Sequence, residues 1–127
     1  MRVAVVDSNY LANKRNIEDF LKKEGYNPLT AEFDVYALAG RWGRGLIELD
    51  KRINFYEGDG VDSVTEELCN NNYDWVFVSL DKPDDYNGAC KIIHSLDCNE
   101  VYAIEGGKCK KVTKHLMAEG YLENKVS

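Results

Sequence analysis

The stretch from Asp59 to Gly88, DGVDSVTEELCNNNYDWVFVSLDKPDDYNG, constrains the fold more than any other part of the chain. Asp59 is a helix-capping residue type, and Val61, Val64 and Leu68 then recur at helical spacing to form one apolar stripe. Trp75 to Leu80 is a continuous apolar run of strand length, which suits a strand covered on both faces. The loop carrying Pro83 follows, and Ala89, Ile92, Ile93 and Leu96 resume helical spacing from about Gly88. A unit of helix, buried strand, loop and helix commits a chain to a layered α/β architecture.

The flanking segments extend this alternation. Val3 to Val6 is β-branched and apolar and ends at Asp7, Ser8 and Asn9, as a central strand would. Ile17, Phe20 and Leu21 predict a first helix, with Lys22 and Lys23 in its last turn and Gly25 as its left-handed stop. Asn27 before Pro28 predicts the start of a second helix, carried by Leu29, Phe33, Tyr36 and Ala37 to Gly40. The glycines around Trp42 predict a turned or mobile segment, and Ile53 to Tyr56 a short strand. Val101 to Ile104 predicts another strand. Cys109, Val112 and Leu116 predict a last helix, and Tyr121 and Leu122 a short final strand.

Strands separated by helices of about ten residues imply parallel pairing with right-handed crossovers. The expectation is therefore a three-layer α/β/α domain over residues 1–127, with a mainly parallel sheet of about five strands and residues 27–52 inserted as a helical segment. A chain of this length supports one core without disulfides. Cys69, Cys90, Cys98 and Cys109 form no CxxC pair, and MRVAVVD is too short an apolar run to span a membrane, so a reduced, cytoplasmic protein is expected. The net charge of -6 argues against a nucleic-acid footprint over the whole surface.

Two parts of the chain resemble response-regulator receiver domains: RVAVVDSNYLANKRNIEDFLKKEGY at Arg2 to Tyr26, and Phe55 to Val126 with its terminal GYLENKV. The resemblance covers about three quarters of the sequence. It implies a flavodoxin-like fold in which Asp7 matches a metal-binding acid, Pro83 the loop proline and Lys125 the lysine that contacts the phosphoryl group. Ser8 replaces the family's second acid, Ser79 its phosphoacceptor aspartate and Glu105 its small hydroxyl residue, and the chain ends where the fifth helix would begin. The match is to a degenerate receiver. A serine cannot form the acyl phosphate, and one acid is too few to hold octahedral Mg²⁺. SLDKPDDYNG is also similar to the SLDHD segment of receiver-like domains associated with cyclic phosphates, without the histidine and second acid.

Ligands in open α/β sheets collect beyond the carboxyl ends of the strands. The candidate strand-end site is Asp7, Ser79, Asp81, Glu105 and Lys125, with Asp7 and Asp81 as the candidate Mg²⁺ ligands. No histidine is placed to activate Ser79, so no catalytic residue is assigned. Cys90, His94 and Cys98 share a helical face, but i and i+8 lie about 12 Å apart along a helix, too far to converge on one zinc ion. Gly106 and Gly107 before a helix are far from a phosphate-binding fingerprint.

The inserted segment holds Arg41, Arg44 and Arg52, three of the five arginines, around Phe33, Tyr36 and Trp42. Arginine and large aromatics are enriched in binding hot spots, which makes these six the candidate partner surface for a protein or for self-association. The function expected first is a non-phosphorylated regulatory or protein-interaction domain. Two alternatives stand beside it: a small-ligand or Mg-dependent phosphate-handling protein using the strand-end acids, and an acidic phage or mobile-element inhibitor of a host defence protein.

Overall fold

A computed structural model describes residues 1–38, 52–57, 60–81, 84, 86–96 and 101–112. Its six strands are β1 (Arg2–Val6), β2 (Glu32–Ala37), β3 (Ile53–Glu57), β4 (Trp75–Ser79), β5 (Val101–Glu105) and β6 (Lys108–Val112). Three helices accompany them: α1 (Tyr10–Lys23), α2 (Val61–Asn70) and α3 (Tyr86–Ser95). The strands form one sheet in the order β3-β2-β1-β4-β5-β6, parallel throughout except for the antiparallel β5–β6 pair.

Side-chain alternation along the strands divides the core in two. Val3, Val5, Phe33, Val35 and Phe77 face α1 through Tyr10, Ile17 and Leu21. Ala4, Val6, Tyr36, Val76 and Val78 face α2 and α3 through Val64, Leu68, Ala89, Ile92 and Ile93. With both faces covered, β1 and β4 are apolar at consecutive positions, as their sequences required. Helix α1 ends as its sequence predicts. Gly25 has φ 89°, its N–H donates to the Lys22 carbonyl and the Tyr26 N–H donates to that of Leu21, a Schellman closure.

Two predicted helices are strands. The Asn27–Pro28 signal starts only a 3₁₀ turn, Pro28–Thr30, capped by the Asn27 side chain accepting from the Leu29 N–H; the chain then extends as β2. Phe33, Tyr36 and Ala37 fit a helical stripe, but Phe33, Val35 and Ala37 also alternate, and pairing on both sides with β1 and β3 selects the extended form. The predicted inserted helix over residues 27–52 thus supplies an internal strand beside β1, and the sheet has six strands. Cys109 and Val112 likewise lie in β6. Gly106 and Gly107 take φ 58° and 76°, the two positive values that a tight two-residue hairpin requires, and turn β5 directly into β6.

The internal placement of β2 moves Ile53–Glu57 to the sheet edge. A flavodoxin-like order of 2-1-3-4-5 would pair that strand with β1; the order observed is the 3-2-1-4-5-6 of dinucleotide-binding doubly wound sheets, with its last strand reversed. The expected Tyr121–Leu122 strand, the Asp59 cap, Pro83 and the turned segment around Trp42 lie outside the described residues.

Candidate strand-end site

The chain runs β1, β2, β3 in one direction across the sheet and then returns through α2 to β4 on the other side of β1. The carboxyl ends of β1 and β4 flank this reversal, the place where doubly wound sheets hold ligands. Asp7, Ser8, Ser79, Asp81 and Asp84 are gathered there.

Asp7 is fully buried. One carboxylate oxygen accepts the Asn9 N–H at 2.8 Å, an Asx turn that leads the chain into α1, and the other accepts from the Asn13 amide at 2.9 Å. Burial pushes the Asp7 carboxyl up from 3.8 to about 6; the Asn13 and Asn9 hydrogen bonds oppose this, and the Asp84 and Asp81 charges add to it.

Asp84, 6 % exposed, joins three strand ends. Its carboxylate accepts the Ser8 N–H at 2.8 Å, the Ser8 hydroxyl, and the backbone N–H of Leu38 just beyond β2. Burial raises its pKa while the Ser8 bonds hold it down. Ser79 is buried at the end of β4, where its Oγ accepts the Asp81 N–H at 3.2 Å. Both oxygens of Asp81 accept the Gly106 N–H, at 3.2 and 3.0 Å, tying the β4 loop to the β5–β6 hairpin.

The fold therefore brings Asp7, Ser79 and Asp81 to one edge of the sheet. Glu105 stands at the neighbouring end of β5, next to the Gly106 that Asp81 holds, and lines a cavity of about 80 Å³ with Leu80, Ala103, Lys108 and Lys110; Lys125 lies outside the described residues. Among the described residues no group of three or more His, Cys, Asp or Glu side chains is arranged to hold a metal ion. The oxygens of Asp7 and Asp81 accept from N–H donors of the chain itself. Asp84 and Asn13 were not among the residues expected at this site; the signal available was the Asp7-Ser8-Asn9 run, whose polar groups need partners where the strand ends.

The expected partner surface divides as well. Phe33 is 3 % exposed and faces α1 in the core, which corrects its placement at a surface. Arg52 donates to the Pro28 carbonyl at 3.2 Å. Arg41, Trp42 and Arg44 lie outside the described residues.

Tyr36 belongs to a second polar cluster, on the α2–α3 face, that sequence reasoning missed. Asp34, 7 % exposed, accepts from the Arg2 guanidinium at 3.2 Å, the Tyr73 hydroxyl at 2.6 Å and the Asn54 amide at 3.0 Å. The Tyr36 and Tyr73 hydroxyls are 2.8 Å apart, and Arg2 lies 4.9 Å from the Tyr73 ring centroid. Burial, followed by the hydrogen bonds to Asp34 and Tyr36, raises the Tyr73 phenol far above its ordinary range.

No protein-family model, no curated protein and no solved structure matches this chain. No helix among the described residues is long and apolar enough to cross a membrane. The sheet and its helices define a doubly wound α/β domain.

Proposed function

We propose that this chain is a regulatory or protein-interaction domain of receiver-like kind that is not phosphorylated, with a strand-end crevice that serves as a structural lock. One observation supports the reading above the others: each oxygen of Asp7 and of Asp84 accepts a hydrogen bond from the chain itself. A phosphotransfer site needs carboxylates that face a metal and a nucleophile that faces the phosphodonor. Here Ser79, at the phosphoacceptor position of the resemblance, is buried and bonded to the Asp81 amide. Asp84 links the ends of β1, β2 and β4, which suits a rigid scaffold whose surface carries the function.

The test is intact-mass analysis after incubation with acetyl phosphate and Mg²⁺. The expected result is an unmodified mass. A stoichiometric, hydroxylamine-labile phosphoryl adduct would refute the proposal and return Asp81 or another carboxylate to a phosphate-handling role.

A further inference from the structure

We draw no further inference here: the strongest candidate, the surface groove between α2 and α3 that Asp62, Glu66, Lys91 and His94 line, carries nothing because nothing in the structure shows what covers it.

Discussion

Replacing Asp7 by asparagine should stabilise the protein at neutral pH. The wild-type carboxylate is fully buried, and raising it from 3.8 to about 6 costs about 3 kcal/mol of folding free energy once the group is ionised. The sign follows from proton uptake. Below about pH 4 the carboxyl is protonated in both states and carries no penalty. As pH rises towards 6 the unfolded chain gives up its proton first, so stability falls; above about 6 the full penalty persists. Asparagine removes the charge and keeps the shape. It can accept the Asn9 N–H through its carbonyl, and a turned Asn13 amide can accept from its NH₂, so both hydrogen bonds to Asp7 have counterparts. The expected gain at pH 7 is about 2 to 3 kcal/mol, equivalent to a rise in Tm of about 8 to 12 °C for a domain of this size. Urea unfolding of parent and variant at half-unit steps from pH 3.5 to 8 measures it. The difference should be near zero at the acid end and grow through the window from 4 to 6. A difference that is independent of pH, or a variant less stable than the parent at pH 7, would show that the buried Asp7 charge is compensated by other interactions and refute the reasoning.

Three further outcomes follow from the packing. Phe77→Ala should cost about 3 to 5 kcal/mol in denaturant unfolding, because Phe77 is fully buried on the central strand β4 and touches the rings of Phe20, Trp75 and Tyr102. Gly107→Val should cost about 2 kcal/mol by the same measurement, since φ is 76° and the new Cβ would sit 3.2 Å from the Asn16 amide nitrogen; a neutral result would mean the β5–β6 turn is not held in this form. Tyr73→Phe removes one of three donors to the buried Asp34 carboxylate and should cost about 1 to 3 kcal/mol, with much less loss in an Asp34→Asn background if the two groups act together.

The layered class and most of its elements are legible in the order of the residues alone. The apolar runs at Val3–Val6 and Trp75–Ser79 have no polar face to give to water, so they must be covered on both sides. The stripes of α1, α2 and α3 supply that cover, and the alternation of strand and helix dictates parallel pairing. Asp7, Ser79 and Asp81 could be assigned to the carboxyl edge because strand ends are legible from where apolar runs stop. Strand β2 was not legible: EFDVYA satisfies a helical and an alternating pattern at once, and only its pairing partners, β1 and β3, decide between them. That decision fixed the sheet order, placed Phe33 in the core and assembled Arg2, Asp34, Asn54 and Tyr73 from four separate parts of the chain. The Cys109–Val112 stripe was decided the same way, because Gly106 and Gly107 reverse the chain too tightly for a helix to follow before β6 has paired with β5. Asp84 shows the remaining gap: an acid between apolar elements reads as solvated until the tertiary fold sets its carboxylate against the Ser8 and Leu38 N–H groups, which find their acceptor there.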